Sequence, residues 1–206
     1  GLLRSQQMFS DLNRYAIKPT KSINILFNSR EESSIIAKRV IDEVDVFKGL
    51  VEKERTAISN RSKALFTLSA ICTATSELLN GSNLSTQNKI DLAKEYWSAV
   101  GRNISEWNMV KSGEIKSSAV RKDYICSLSI TLVALGHAGN ALIQNFPETW
   151  KNHLEKLSII DWRKTNPEWD NLVFVNGRVA ANRSTQKAMS SYMKKVLIET
   201  DGNEDG

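Results

Sequence analysis

Apolar residues recur along most of this chain at intervals of three and four, the spacing that lines one face of an α-helix. Ile35, Ile36, Val40 and Ile41 form one such set. SREE (Ser29–Glu32) ahead of them reads as a capping box, in which the Ser29 hydroxyl takes an orphan N–H and Glu32 reaches back. Leu65, Leu68, Cys72, Thr75 and Leu79 predict a second helix from about Ser59 to Leu79, stopped by NGSN (Asn80–Asn83). Ser85 opens a third, with Ala93, Tyr96, Trp97, Val100, Ile104 and Trp107 as its stripe, and KSG (Lys111–Gly113) breaks the chain again. A long helix is predicted from about Ser117 to Asn145, with Leu128, Leu132, Leu135, Leu142 and Phe146 along one side. Gly136 and Gly139 on it cost about 1 kcal/mol each relative to alanine. Close approach of a neighbouring helix would offset that cost. Pro147 ends this helix and starts a shorter one, PETWKNHLEKL.

The texture then changes. DWRKTNPEWD is polar and aromatic, and LVFVNGRVAA sets Asn176-Gly177 between short β-type runs, the strongest local hairpin signal in the chain. A last helix is expected from about Arg183 to Ile198. Val46–Ile58, VFKGLVEKERTAI, reads as a strand or extended stretch. The expected fold is therefore mainly α: a multi-helix bundle or array with a late β-hairpin and one short early strand. No internal repeat is visible.

Composition narrows the class. The chain has 206 residues, 41% hydrophobic and 25% charged, within the range of globular proteins. Its longest uncharged stretch, Tyr124 to Pro147, contains Ser127, Ser129, Thr131, His137, Asn140, Gln144 and Asn145. It reads as a buried core helix and not a membrane span, which needs a mainly apolar run. The first residues show no basic region followed by an apolar one, so no secretory signal is expected. Cys72 and Cys126, both within predicted helices, read as small buried thiols of a reducing cytoplasm. No CxxC or clustered Cys/His spacing suggests a metal site, and no cofactor is called for.

Classical catalysis finds little support. His137 and His153 are isolated, and His137 reads as a satisfied core histidine. GxSxG, HExxH, Walker A and GxGxxG patterns are absent. Asp42, Glu43 and Asp45 flank a helix end, as a solvated terminus would.

Charge is more informative. The formal net charge is +5, but the last eight residues, ETDGNEDG, hold four of the 23 acids and no base. Residues 1–198 thus set 28 bases against 19 acids. A body this basic suits an anionic partner, nucleic acid foremost. Three basic groups stand out. From Asn171 to Ile198 there is no acid, while Arg178, Arg183, Lys187, Lys194 and Lys195 are present. On a helix, Arg183, Lys187, Ser190 and Lys194 share a face, leaving Ala188, Tyr192 and Val196, with Met189 and Met193 beside them, for the core. Cations interleaved with hydroxyls hold phosphate backbones, although the same pattern also describes a plain solvated face. The second group is RSQQMFSDLNRYAIKPTKS (Arg4–Ser22), with Arg4, Arg14, Lys18 and Lys21, and with Gln6, Gln7 and Asn13 able to read base edges. The third is Arg55, Arg61 and Lys63, at the start of the helix expected from Ser59, where a helix N-terminus would favour an anion.

RSQQMFSDLNRYAIKPTKS resembles the segment that follows the DGQHR motif in DndB-type proteins. SNRSKALFTLSAI (Ser59–Ile71), RKDYI and ALGHAGNAL (Arg121–Leu142) and IIDWRKTNPEW (Ile159–Trp169) resemble the same family, in the same order and over nearly the whole chain. The resemblance implies a component of a bacterial DNA phosphorothioation system, in which sulfur replaces a non-bridging phosphate oxygen. It implies DNA binding and transcriptional repression of the modification genes, with double-stranded DNA of their promoter region as partner. Other phosphorothioation proteins and further copies of the chain are additional candidate partners. The sulfur chemistry belongs to other components, so an enzymatic role is not implied.

The DGQHR motif itself is absent. The chain is therefore expected to be the C-terminal part of a longer protein: residues 1–58 the remainder of a DGQHR (ParB-like) domain, 59–198 a helical domain with the hairpin, and 199–206 a disordered acidic tail. A ParB-like pattern, R-x-x-L-x-P, reads here as Arg14 to Pro19 with Ile17 in place of Leu. The family's Asn three residues before the Arg is Asp11 in this chain, with Asn13 adjacent to the Arg instead. Three functions stand after this reading: a DNA-binding regulator, a helical module that docks other modification proteins, and the remnant of a ParB-like nucleotide-binding enzyme.

Overall fold

A computed structural model describes residues 20–27 and 31–199. Helices α1 (Lys21–Phe27) and α2 (Glu32–Glu43) lead to a 3-10 turn (Asp45–Phe47) and the short strand β1 (Val51–Glu52). Strand β2 (Phe66–Thr67) pairs with β1 in parallel and runs directly into α3 (Leu68–Leu78). Helices α4 (Thr86–Arg102), α5 (Ser105–Ser112), α6 (Ser117–Asp123) and α7 (Ser129–Asn145) follow. One helical turn, α8 (Trp150–His153), tightens into a 3-10 stretch (Leu154–Ile159). After a second 3-10 turn (Pro167–Trp169), β3 (Phe174–Val175) and β4 (Arg178–Val179) form an antiparallel hairpin. Helix α9 (Arg183–Lys194) closes the fold and ends in a π-helical turn (Lys195–Glu199). The mainly α class, the late hairpin and the early strand are all present.

Helix α7 is the hub, packed on both α3 and α9. Its two glycines explain how. A Cβ at Gly136 would lie 2.0 Å from the Ala74 carbonyl oxygen of α3, and one at Gly139 would lie 2.4 Å from the Tyr96 hydroxyl oxygen of α4. Both positions require a bare backbone, as expected from the sequence. Tyr96 then donates its hydroxyl to the Leu135 carbonyl at 2.6 Å, and the Trp97 indole donates to Thr75 Oγ1 at 3.0 Å. Phe47, Phe66, Trp97 and Trp107 pack edge-on and tilted nearby, with centroids 4.9 Å apart for Phe66 and Trp107. One buried cluster takes residues from α2, α3, α4, α7 and α9 alike.

Four boundaries differ from the sequence reading, three of them because backbone groups find partners outside a helix. The helix expected from Ser59 begins at Leu68. Thr67 caps it by accepting from the Ala70 N–H at 3.2 Å, while the N–H groups of Leu65 and Phe66 bond to the Leu50 carbonyl. The Ser85 helix ends at Arg102, where Asn108 donates its amide to the carbonyls of Gly101 and Ile104, and α5 restarts beyond. The long helix divides at Tyr124–Leu128. There the Ile125 N–H bonds to the Trp162 carbonyl at 2.9 Å, and the Lys164 N–H to that of Asp123 at 2.8 Å. Cys126 thus lies in this break and not in a helix. Helix α2 begins at Glu32 after a Glu31 N-cap that makes no side-chain capping bond. Ser29, and with it the expected capping box, lies outside the described residues; Glu32 accepts from Thr86 and Lys89.

Asn176 (φ 51°) and Gly177 (φ 71°) occupy the left-handed region that a two-residue hairpin turn demands. Both cysteines are buried free thiols. His137 is only half buried, and its Nδ1 has no hydrogen-bond partner among the described residues, contrary to a satisfied core histidine. Burial, with Lys194 nearby, lowers its pKa. Among the described residues no helix is long and apolar enough to cross a membrane.

Candidate nucleic-acid interface

The C-terminal basic segment is built from the hairpin and α9. Asn182 caps α9 by accepting from the Thr185 N–H at 3.0 Å, and the buried Thr185 hydroxyl donates to the Ala180 carbonyl at 2.7 Å. Met189, Met193 and Leu197 are fully buried and fix the rotation of the helix. Tyr192 packs edge-on to Trp169 at 5.3 Å and donates to Glu168 at 3.1 Å. Burial and that carboxylate push the Tyr192 hydroxyl up to about 12, so it remains a donor.

This rotation leaves Arg183, Lys187, Ser191 and Lys195 exposed, with Arg178 exposed on the hairpin. Ser190 and Lys194 are half buried, so the solvent-facing row lies one position along from the row expected. None of Arg178, Arg183, Lys187, Lys194 and Lys195 pairs with a carboxylate among the described residues, whereas basic residues elsewhere in the fold do. The acids Asp42, Glu43 and Asp45, expected to be merely solvated, are paired with Lys53, with Arg39 and Lys94, and with Lys111.

The third basic group changes character. No helix starts at Ser59, so no helix N-terminus stands behind Arg61 and Lys63. Instead, the 59–64 loop is held by the Arg121 guanidinium, which donates to the carbonyls of Ser59 (2.9 Å), Asn60 (3.3 Å), Ser62 (3.2 Å) and Ala64. Ser117 adds a 2.6 Å bond to the Lys63 carbonyl. The exposed Arg61 and Lys63 thereby share a groove with the exposed Lys116, and its continuation reaches Lys122. Sequence reading missed Lys116, Lys122 and the anchoring role of Arg121. The only signal was the basic run around Lys116, Arg121 and Lys122, and nothing local ties it to a loop about 60 residues earlier. Arg55 is exposed and its carbonyl accepts from Ser22.

Of the opening group, Arg4, Arg14 and Lys18 lie outside the described residues, as do Gln6, Gln7, Asn13 and the Arg14–Pro19 pattern. Lys21, the first residue of α1, donates to Thr73 Oγ1 of α3 at 2.8 Å. Among the described residues no three His, Cys, Asp or Glu side chains gather as metal ligands would.

The family model described as DndB, DNA-sulfur modification-associated, matches residues 1–199. The chain belongs to the DndB family. Membership ties it to DNA sulfur modification and agrees with the blocks Ser59–Ile71, Arg121–Leu142 and Ile159–Trp169. Comparison with curated proteins and with solved structures gives no match.

Proposed function

We propose that this DndB-family chain is a DNA-binding regulatory component, a transcriptional repressor, of a bacterial DNA phosphorothioation system. The observation that carries the reading is the row of unpaired cations on α9 and the hairpin, in a stretch from Asn171 to Ile198 that holds no acid. Arg178, Arg183, Lys187 and Lys195 are solvent-exposed there and have no acidic partner among the described residues. Unpaired cations on a rigid element release counterions when they meet phosphates, and that release is the main source of affinity.

Retention on duplex DNA tests it, with affinity falling steeply as salt rises. Arg183→Glu combined with Lys187→Glu should weaken duplex binding on the order of 50-fold at about 0.1 M salt if two phosphate contacts are lost. Unaltered binding would remove this surface from the reading. Equal affinity for the promoter region of the modification genes and for unrelated DNA would argue against a sequence-specific repressor.

One observation favours a docking role beside it. Ile159 is 84% exposed, next to a groove lined by Ile160, Tyr192 and Val196. Flat DNA titrations together with co-purification of another modification protein would favour that reading. The nucleotide-enzyme reading rests on Arg14 to Pro19, which lie outside the described residues.

A further inference from the structure

The groove between the 59–64 loop and the start of α6 has a volume of about 550 Å³ and continues past Asn60, Ile115, Lys116 and Ser118 to Lys122. Two kinds of group line it. Arg61, Lys63, Lys116 and Lys122 are exposed cations with no acidic partner among the described residues. Leu50, Val110 and Ile115 supply an aliphatic part, with Val110 buried and the other two half buried. The loop is held from behind: Arg121 occupies the carbonyls of Ser59, Asn60, Ser62 and Ala64. Four peptide acceptors are thereby tied up by an internal cation, and the backbone that carries Arg61 and Lys63 is fixed before any ligand arrives. Asp123 stands at the Lys122 end, where its carboxylate disfavours a phosphate.

Cations beside an aliphatic surface suit a ligand that is at once anionic and flat-faced. A duplex keeps its bases inside and is too wide for such a groove, so it would use only the cations. An unpaired strand uses both: phosphates on the lysines and arginine, and a base face on the apolar lining. We propose that this groove is a second nucleic-acid site, separate in its residues from α9, that takes an unpaired strand, with Arg61, Lys63, Lys116 and Lys122 on its phosphates and a base against Leu50, Val110 and Ile115. Arg121 is its positioning residue. The inference rests on the reading of the chain as a DNA-binding protein but shares no side chain with the surface that supports it. Because the lining is aliphatic and offers no stacking ring, phosphate contacts carry most of the binding, which is therefore sequence-tolerant and strongly salt-dependent.

The test is fluorescence anisotropy with a short labelled oligothymidylate and, separately, a labelled duplex, on the full chain and two double variants. Lys116→Glu with Lys122→Glu should weaken oligothymidylate binding about 25-fold at about 0.1 M salt while changing duplex binding less than about twofold. Arg183→Glu with Lys187→Glu should do the reverse. All four positions are on the surface, so both variants should melt with the parent. Arg121→Gln should lower oligothymidylate affinity although its side chain does not face the ligand. Unchanged oligothymidylate binding in the Lys116/Lys122 variant would overturn the inference and leave the α9 reading intact. The opposite failure, duplex binding untouched by the α9 variant, would remove that reading and leave the groove. Competition by thymidine monophosphate as strong per nucleotide as by the oligomer would overturn the strand as ligand.

Discussion

The region around α2 and α4 and the region around α9 use the same basic side chains to opposite ends. In the first, Glu43 takes both Arg39 (2.8 Å) and Lys94 (2.6 Å), Glu32 takes Lys89 (2.9 Å), and Asp42 takes Lys53 (3.2 Å). Each of these cations is partly neutralised by its neighbour, and all but Arg39, which pairs within α2, fasten one element to another. In the second, Arg178, Arg183, Lys187 and Lys195 project from a rigid hairpin and helix with no acid from Asn171 to Ile198. The field of the first region is short-ranged, and that of the second is open to a polyanion. A count of lysines and arginines therefore misjudges a surface unless their pairing is known.

The largest expected effect breaks both regions together, because α7 contacts α3 on behalf of one and α9 on behalf of the other. Gly136→Ala places a methyl 2.0 Å from the Ala74 carbonyl oxygen, a backbone atom that cannot swing aside. Separating the two helices should lower stability by about 3 kcal/mol. For a chain of this size that is a fall of about 6–12 °C in Tm, readable by circular dichroism. An unchanged Tm would mean that α3 and α7 do not cross here.

The comparison itself is sharpened by exchanging which cations are removed. Arg183→Ala with Lys187→Ala should leave Tm within error and make the slope of log affinity against log salt shallower by about 2. Lys89→Ala with Lys94→Ala should do the converse, lowering Tm while leaving the salt slope of duplex binding alone. If both pairs of substitutions shift the salt slope equally, pairing does not separate the two regions.

Legibility in the sequence follows the same division. The α9 surface could be read to within one position because its rotation is set by residues within one helix: Met189, Met193 and Leu197 turn inward in place of the expected Ala188, Tyr192 and Val196, and the cations follow. The hairpin could be read because Asn176-Gly177 encodes its own turn. The helix crossing at Gly136 and Gly139 was visible as a cost without a local explanation. What escaped was everything fixed by a distant partner. The 59–64 loop stands directly before the helical stripe that starts at Leu65 and reads as its first turn, yet its carbonyls bond to Arg121. The break at Tyr124–Leu128 depends on Trp162 and Lys164. Periodicity reports which residues are buried, and it is silent about which backbone groups a remote side chain will claim.

A smaller effect tests how far the hairpin is part of the interface. Gly177 has φ 71° with open space where a Cβ would stand, so Gly177→Ala strains only the backbone. The cost is about 1 kcal/mol, or about 2–4 °C in Tm. The substitution disturbs the turn that presents Arg178, so duplex affinity should fall modestly at low salt if Arg178 touches phosphate. Lost stability with full affinity would confine the interface to α9.

The smallest effect concerns Asp161, the acid that ties down the segment beneath α9. Its carboxylate accepts from the Arg163 guanidinium at 2.7 and 2.9 Å and from the Arg163 backbone N–H at 3.1 Å, which holds its pKa down at about 2. Its own carbonyl accepts from the Trp169 indole and the Asn166 amide, and Trp169 packs on Tyr192 of α9. A folded-state pKa below the unfolded 3.8 means that the contribution is fully present above about pH 4 and is lost as pH falls through about 2. The group is exposed and the pair is screened by salt, so the contribution is small. Tm measured against pH for the parent and Asp161→Asn should therefore differ slightly above pH 4 and converge on acidification, with a smaller difference in high salt. No difference at any pH would show that the carbonyl bonds to Trp169 and Asn166, which both chains keep, and not the Arg163 pair, hold this segment under α9.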